Sequence, residues 1–216
     1  MDRPDPHAPR SGAVLLAGGL SSRMGQPKAW LPWRGRPLLL HLLELLAPRC
    51  PLRVVVGAAG QELPPLPEGV LRVDDPPGER QGPLLGLSLG LDALHGHADL
   101  AFLGACDGVF LSDAHVAHVL AALHDPAVDA AIPEDPPDPA DPARRLAHPL
   151  ASAVRVAPAR ALAHDLLAAG VRRPLALFER LATRWIPVAE LPDPRALATC
   201  NTPEEYAAAR AERGAR

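Results

Sequence analysis

The residues best suited to chemistry lie near the start of the chain, in the stretch 16–28, which reads Leu-Ala-Gly-Gly-Leu-Ser-Ser-Arg-Met-Gly-Gln-Pro-Lys. Gly18 and Gly19 allow the backbone to turn sharply and to approach a ligand closely, because they carry no Cβ atom. The N–H groups that follow can point at an anion and form a nest, and Arg23 and Lys28 add two cations within reach. Such a loop is suited to binding a triphosphate.

The spacing in this stretch excludes two well-known phosphate loops. A Walker A loop requires a Gly-Lys-Ser/Thr ending at a set distance from its first glycine, and the dinucleotide fingerprint requires Gly-x-Gly-x-x-Gly. Neither pattern occurs here. The remaining structural interpretations are a tight turn without a ligand and a solvated basic loop, but Arg23, Gly25 and Lys28 together favour phosphate binding.

Two carboxylates are candidates for holding a divalent cation opposite the loop. Asp75 and Asp107 each follow an apolar run that predicts a buried parallel strand. Ligands of open parallel sheets bind beyond the carboxyl ends of the strands, where both side chains and the glycine loop are expected. Mg²⁺ commonly takes one or two carboxylates together with phosphate oxygens. The alternatives are a turn-forming aspartate for Asp74 or Asp75 and an Asx-turn for Asp107.

Alternating strands and helices must position these residues. The predicted strands are 13–15, 53–56, 70–73, 100–104, 128–133, 150–156, 184–188 and 196–200, and the predicted helices are 38–46, 83–94, 113–123, 159–169, 174–181 and one beginning at Pro203. This alternation predicts a three-layer α/β/α sandwich with a mostly parallel, Rossmann-like nucleotide-binding sheet. We expect a disordered tail at residues 1–10, a single domain over 11–216 and a mobile loop over 134–145.

Charge and cysteine usage limit the function classes. The net charge of −3 favours neither nucleic acid nor an anionic membrane as a partner. The three cysteines are far apart and form no CxxC pair, which favours a reducing compartment over a zinc ribbon or a disulfide framework. The sequence contains neither a bilayer-spanning apolar run nor a recognisable signal peptide. We therefore expect a cytoplasmic protein with no nucleic-acid or membrane partner.

The stretch 16–28 resembles the signature of the MobA-like nucleotidyltransferases, and most closely that of the molybdenum cofactor guanylyltransferases among them. The segments 75–86, 106–110 and 201–205 also resemble this family. The resemblance implies that GMP is transferred from GTP to molybdopterin (the molybdenum cofactor), with Mg²⁺ as the cofactor and pyrophosphate as the second product. It also implies transient contacts with cofactor-delivery proteins and molybdoenzymes.

The resemblance further implies roles for individual residues. It assigns catalytic roles to Arg23, Lys28 and Asp107, and metal binding to Asp107 with assistance from Asp75. The implied nucleotide-binding residues are Leu16, Ala17, Gly18, Gly19, Lys28, Asp75, Gly82, Pro83, Leu84 and Asp107. The implied acceptor-binding residues are His148, Arg172, Arg173 and Asn201. The structural alternatives are a core or surface histidine beside Pro149 and solvated charge at the arginine pair.

Several positions depart from the guanylyltransferase pattern. Val109 replaces a proline, Gly57 stands where many members have Asn, and Thr199 replaces the first Asn of Asn-x-Asn-Thr-Pro. Pro27 is more typical of the cytidylyltransferase relatives. The alternative functions are therefore a related cytidylyltransferase or sugar-phosphate nucleotidyltransferase, or a nucleotide-binding adaptor without catalytic activity.

Overall fold

A computed structural model of the chain describes residues 9–18, 24–77, 82–137, 139–141 and 146–214. The strands are β1 Ser11–Leu16, β2 Pro32–Trp33, β3 Arg36–Pro37, β4 Leu52–Ala58, β5 Val70–Asp75, β6 Leu100–Ala105, β7 Ala130–Glu134, β8 Ala151–Arg155 and β9 Thr183–Pro187. The helices are α1 Leu38–Leu46, α2 Pro83–Leu94, α3 Asp113–Ala121, α4 Val156–Ala168, α5 Leu175–Phe178 and α6 Pro203–Gly214, and 3₁₀ turns occupy Lys28–Trp30, Ala122–His124, Val188–Glu190 and Pro194–Leu197.

Seven of the strands form one sheet in the order β5-β4-β1-β6-β8-β7-β9. β1 is parallel to β4 and β6, β4 is parallel to β5, and β7 is parallel to β9, whereas β8 is antiparallel to both β6 and β7. The mostly parallel sheet and the α/β/α class are confirmed. The parallel strands all end at the same edge of the sheet, which we call the carboxyl edge.

Two apolar layers cover the two faces of this sheet. Ala13 and Leu15 of β1 belong to the layer that includes α1, whereas Val14 between them belongs to the layer that includes α2. All three residues are at most 1% exposed. A strand buried on both faces must be apolar at every position, and for this reason β1 was recognisable in the sequence.

The segment 196–200 differs from its prediction as a strand. Residues 194–197 form a 3₁₀ turn instead, because the Asp193 side chain accepts a hydrogen bond from the Arg195 amide at 3.0 Å. Pro194 occupies the first position of this turn, where a missing N–H group costs nothing.

Two further local features were not predicted from the sequence. β2 and β3 form a small antiparallel hairpin, in which Gly35 adopts a φ of 79°. α4 begins at Val156, directly after β8, although Pro158 lies in its first turn. Proline is tolerated there because the first N–H groups of a helix have no partner within the helix.

The predicted tail 1–10 lies outside the described residues except for its last two positions. Arg10 is held in place, because its amide donates to Oδ2 of Asp99 at 2.8 Å and its carbonyl oxygen accepts from the Asp99 amide at 2.7 Å. The predicted loop 134–145 overlaps the end of β7 and lies partly outside the described residues. Every helix in the described ranges is too short or too polar to cross a lipid bilayer.

Candidate active site

The glycine segment continues β1 beyond its carboxyl end. The amides of Ala17 and Gly18 both donate to the carbonyl oxygen of Val56, at 2.8 and 3.1 Å. A Cβ atom on Gly18 would lie 3.2 Å from the backbone nitrogen of Ala58, so this close approach to β4 favours glycine. These two amides are therefore used within the sheet, so they do not supply the predicted anion-binding N–H groups.

Three further residues of the glycine segment were predicted to contact the nucleotide, and the structure describes one of them, Leu16. Gly19 and Arg23 lie outside the described residues, so their phosphate contacts stay predictions. The Leu16 carbonyl oxygen accepts a hydrogen bond from the Cys106 amide at 2.9 Å, which ties the end of β1 to the chain leaving β6. This bond brings the glycine segment next to Asp107.

The side chains of three residues meet at the carboxyl edge, namely Lys28, Asp107 and Asn201, and we call this group the Lys28 cluster. Nζ of Lys28 lies 3.0 Å from Oδ2 of Asp107 and donates to Oδ1 of Asn201 at 2.7 Å. The side chains of Lys28 and Asp107 are only 17% and 24% exposed. Partial shielding from water makes the attraction between these charges stronger than that of an ordinary surface pair.

The backbone of Asp107 is held by two hydrogen bonds. Its carbonyl oxygen accepts from the Val109 amide at 2.9 Å and from the Cys200 amide at 3.1 Å. Val109 stands where the family pattern has proline, which has no N–H group. This departure therefore adds a hydrogen bond to the backbone that carries the carboxylate.

Asn201 is oriented by its own segment of the chain. Its amide donates to Oε2 of Glu205 at 2.6 Å. The same oxygen accepts from the Thr202 amide at 3.3 Å, and the Glu205 amide donates to Oγ1 of Thr202 at 3.2 Å, so these two bonds form a capping box for α6. Nδ2 of Asn201 donates to Oγ1 of Thr199 at 3.1 Å. Thr199, another departure from the family pattern, thus directs the opposite end of the amide, Oδ1, toward Lys28.

An aromatic cluster anchors α6 beside this site. The ring of Trp33 in the β2–β3 hairpin lies 5.9 Å from the ring of Tyr206 and 6.2 Å from the ring of Phe110, edge to face. The Tyr206 hydroxyl donates to the carbonyl oxygen of Pro32. These contacts join the hairpin, the chain after β6 and α6 into one support for Asn201.

Asp75 lies elsewhere on the same edge, at the end of β5. A Cβ atom on Gly18 would be 3.7 Å from its Oδ2, and one on Gly86 would be 3.7 Å from its Oδ1. Oδ1 is buried and has no hydrogen-bond partner among the described residues. Burial, with a smaller contribution from Asp74, raises the pKa of Asp75. An unpaired buried carboxylate oxygen is costly to the fold, which is typical of a binding site.

The strand order separates Asp75 from Asp107. β4 and β1 lie between β5 and β6, which places the ends of β5 and β6 about 14 Å apart at the usual strand spacing. Asp107 faces Lys28, whereas Asp75 faces Gly18 and Gly86. This arrangement differs from the expectation that Asp75 assists Asp107 in holding one cation.

The start of α2 packs against the segment after α4 and is hydrogen-bonded to it. Gly82 has a φ of 76°, and a Cβ atom on it would lie 2.9 Å from the carbonyl oxygen of Arg172. The amide of Leu84 donates to this same oxygen at 3.4 Å, while the Leu84 side chain is fully buried in the core. Gly82 and Pro83 are exposed, so they are the accessible part of this predicted nucleotide contact.

The predicted acceptor residues are engaged in local contacts. Arg172 donates to the carbonyl oxygen of Leu167 at 2.9 Å. Arg173 forms a bidentate ion pair with Glu179, in which its Nη1 and Nη2 donate to the two carboxylate oxygens at 3.0 and 2.7 Å. Both guanidinium groups are thus engaged within the segment around the end of α4 and α5.

His148 lies in the connection that enters β8, at the carboxyl edge. Its Nε2 lies 3.1 Å from Oδ2 of Asp135, and its amide donates to the carbonyl oxygen of Pro133 at 2.9 Å. Sequence reasoning missed Asp135, because no spacing rule links it to His148. It also missed Glu205, although Thr202 followed three residues later by Glu205 is a capping-box pattern.

The family model for the MobA-like NTP transferase domain matches residues 13–184 of this chain. The chain belongs to this family. The resemblance drawn from the sequence is thus confirmed. The Lys28 cluster of this MobA-like domain also includes Asn201, which lies beyond the matched residues.

Two curated relatives are similar in sequence to this MobA-like domain. A Mycobacterium avium protein named "Probable molybdenum cofactor guanylyltransferase" is 33% identical over 192 residues, which cover 88% of this chain and 89% of that protein. A Mycobacterium tuberculosis protein of the same name is 44% identical over 102 residues, which cover 46% of this chain and 49% of that protein. The chain thus spans about half the length of the Mycobacterium tuberculosis protein and most of the length of the Mycobacterium avium protein.

Solved structures share the fold of this MobA-like domain. The molybdopterin-guanine dinucleotide biosynthesis protein A of Archaeoglobus fulgidus is 19% identical with a TM-score of 0.70, over 95% of this chain and 100% of that one. The 2-C-methyl-D-erythritol 4-phosphate cytidylyltransferase of Thermus thermophilus is 22% identical with a TM-score of 0.70, over 94% and 98%. Proteins named for different nucleotides share this fold, so the choice of base must depend on individual site residues.

Proposed function

We propose that the protein transfers GMP from GTP to molybdopterin and releases pyrophosphate. The observation that carries the proposal is the meeting of Lys28, Asp107 and Asn201 at the carboxyl edge of a MobA-like domain. The names of the curated relatives support molybdopterin as the acceptor.

The proposed reaction is an in-line displacement. A terminal phosphate oxygen of the acceptor attacks the α-phosphorus of GTP and forms the new P–O bond, while the bond to the β-phosphate oxygen breaks and pyrophosphate leaves. Such a transfer depends on positioning and charge neutralisation. Lys28, together with Arg23, stabilises the negative charge that builds on the β- and γ-phosphates. Cys106 is not a nucleophile in this scheme, because burial raises the pKa of its thiol to about 12.

Asp107 is the residue that would hold a divalent metal, which members of this family generally use. Its Oδ2 pairs with Lys28, while its Oδ1 makes no hydrogen bond within the described residues. Those residues contain no group of three or more His, Cys, Asp or Glu that could hold a metal. One carboxylate suits Mg²⁺, which we propose as the ion, because Mg²⁺ takes its other ligands from water and phosphate. When bound, it would neutralise charge on the reacting phosphates.

We assign Asp75 to the guanine base instead of to the metal. A carboxylate only accepts hydrogen bonds, and guanine presents two adjacent donors, its N1–H and 2-amino groups. Cytosine presents one amino donor beside an acceptor nitrogen, so CTP would leave one oxygen of Asp75 unpaired. A buried, unpaired oxygen costs binding energy, which gives a physical basis for a preference for GTP.

His148, Asn201 and the arginine pair remain the proposed acceptor contacts. His148 is held by Asp135 at the part of the edge next to β6, within the same region as Asp107. For Arg172 and Arg173, contact with an acceptor phosphate requires release from Leu167 and Glu179. Arginine forks match phosphate oxygens, so such an exchange is chemically reasonable.

We also propose a cytoplasmic location and transient contacts with the proteins that deliver and receive the cofactor. The three cysteines, Cys50, Cys106 and Cys200, are all free and buried, which suits a reducing compartment.

The deciding experiment measures pyrophosphate release with GTP, Mg²⁺ and molybdopterin, and repeats it with CTP and with sugar phosphates. We expect release only with GTP and molybdopterin together. Nucleotide binding without release would favour the adaptor alternative, and faster release with CTP would favour the cytidylyltransferase alternative. The contacts of Val109 and Thr199 argue against the adaptor, because both departures support site residues.

A further inference from the structure

The side-chain amide of Gln61 lies between the ends of β1 and β4. Its Nε2 donates to the carbonyl oxygen of Ala17 at 2.9 Å, and its Oε1 accepts from the amide of Ala58 at 2.9 Å. The regular parallel pairing ends at Leu16 and Val56. In a continued ladder, the next bond would join the Ala58 amide directly to the Ala17 oxygen. The Gln61 amide replaces this bond and separates the two strands at the site.

Gly57 is a direct neighbour of this amide. A Cβ atom on Gly57 would lie 3.4 Å from Oε1 of Gln61 and 3.4 Å from Oδ1 of Asp74. A Cβ atom at position 57 would therefore be in ordinary van der Waals contact with the Gln61 amide. The glycine that departs from the family pattern thus lies beside the inserted amide.

Gln61 itself is fixed at its backbone. Its amide donates to the Ala58 carbonyl oxygen at 3.0 Å, and its own carbonyl oxygen accepts from Nη2 of Arg72 at 2.7 Å. Arg72 also donates to Oδ1 of Asp74 at 2.8 Å. The side chain of Gln61 is therefore directed at the strand ends by a backbone held on both sides, and it loses little freedom in bridging them.

We infer that Gln61 is a positioning residue for nucleotide binding, an inference that rests on the proposed function. It sets the separation of β1 and β4 where the chain turns from Ala17 into the phosphate loop. Gly18, the next residue, lies over Ala58 and faces Asp75, so the same separation sets the distance from Gly18 to the carboxylate assigned to the base. Gln61 acts through the backbone of Ala17 and Ala58 without touching the nucleotide.

Two substitutions test this inference. Gln61→Glu keeps the acceptor for Ala58 but sets a carboxylate oxygen against the Ala17 oxygen, and Gln61→Met keeps the length but neither bond. We expect the Kd for GTP with Mg²⁺, measured by calorimetry, to rise about tenfold or more in both variants, because Gln61→Met loses both hydrogen bonds and Gln61→Glu loses one and places two acceptor oxygens against each other. The KM for GTP should rise in parallel, with kcat and the KM for molybdopterin close to the wild-type values.

Arg53→Met is the matched control. Arg53 donates to the carbonyl oxygens of Leu43 and Glu68 at 3.2 and 3.4 Å, so its loss loosens the far end of the same connection between β4 and β5. This variant should bind GTP like the wild type. Thermal unfolding of all variants reports the loss of stability, and Gln61→Asn, with a shorter amide, replaces any variant that does not fold.

The outcomes separate the two proposals. If the wild-type protein does not bind GTP, the proposed function fails and this inference fails with it. If the wild type binds GTP and folded Gln61 variants bind it equally well, the inference alone is overturned. Equal losses of GTP affinity in Arg53→Met and the Gln61 variants would also overturn it, because Gln61 would then act only through stability.

Discussion

Oδ1 of Asn201 accepts a hydrogen bond from Nζ of Lys28 at 2.7 Å, although 173 residues separate them along the chain. Lys28 lies close to the glycine segment, and Asn201 lies beyond the residues matched to the family. The segment leading into α6 therefore completes the site, and its local geometry should affect turnover.

Glu205→Ala should weaken the site through Asn201. Oε2 of Glu205 accepts from the amides of Asn201 and Thr202 at 2.6 and 3.3 Å, and loss of a helix cap costs about 0.5–2 kcal/mol. We expect kcat/KM to fall about tenfold. Glu205→Gln should restore most activity, because its amide oxygen can still accept both bonds. Unchanged kinetics in the Ala variant would show that other contacts orient Asn201.

Lys28→Ala should reduce turnover far more than stability. It removes a charge-assisted bond to phosphate, worth about 1.5–3 kcal/mol, or a rate loss of about 10- to 150-fold. The exposed pair of Arg36 and Glu44 offers a control, since Arg36→Ala should leave the rate unchanged. Arg23→Ala is expected to behave like Lys28→Ala. Near-normal pyrophosphate release in both variants would contradict a phosphate-binding loop.

Asp107→Asn should keep the fold and remove most of the Mg²⁺-dependent turnover. Asn is nearly the same size, and the backbone bonds to Asp107 do not involve the side chain, but a neutral amide is a far weaker Mg²⁺ ligand. The measurement is the initial rate against Mg²⁺ concentration. Asp74→Asn is the control, because Asp74 pairs with Arg72 on the surface. Normal turnover of Asp107→Asn at low Mg²⁺, with Asp75→Asn inactive, would reverse our assignment.

Asp75→Asn should raise stability at neutral pH while reducing the preference for GTP over CTP. The pKa of Asp75 is raised in the folded protein, because burial favours the protonated carboxyl group. Protonated Asp75 therefore stabilises the fold at pH values below its ordinary pKa, and this contribution is lost as the pH rises through the raised pKa of the folded state. Removing the charge abolishes this loss. Thermal unfolding at pH 7 and competition binding of the two nucleotides test both effects. An unchanged preference for GTP would separate Asp75 from the base.

His115 should destabilise the protein in mild acid. It is fully buried, its Nε2 lies 2.8 Å from the Ala151 carbonyl oxygen, and its Nδ1 has no partner among the described residues. Burial lowers its pKa below the ordinary 6.5. The unfolded chain therefore takes up the proton first, and stability falls as pH drops below about 6.5.

The test compares unfolding temperatures from pH 8 to pH 5. His115→Gln should flatten the dependence on pH, whereas His97→Gln at an exposed position should leave it unchanged. A wild-type curve as flat as that of His115→Gln would contradict the prediction.

The sequence by itself determined the features that arise from local patterns. The uninterrupted apolar run of β1, followed by Gly18, predicted a buried strand that leads into a ligand loop. Asp107 was recognisable because it follows the apolar strand β6, and the predicted helix 113–123 begins where α3 begins, with Oγ of Ser112 capping it by accepting from the His115 amide. These features depend on neighbours within a few residues, and local periodicity and capping chemistry therefore reveal them.

Only the tertiary structure decided which of these residues meet. The strand order separates Asp75 from Asp107, reverses β8 and brings Asn201 to Lys28. It also places the Gln61 amide between two strand ends. Strand order and long-range side-chain contacts follow from how helices pack on the two faces of the sheet. That packing is a property of the whole chain, and no local spacing in the sequence encodes it.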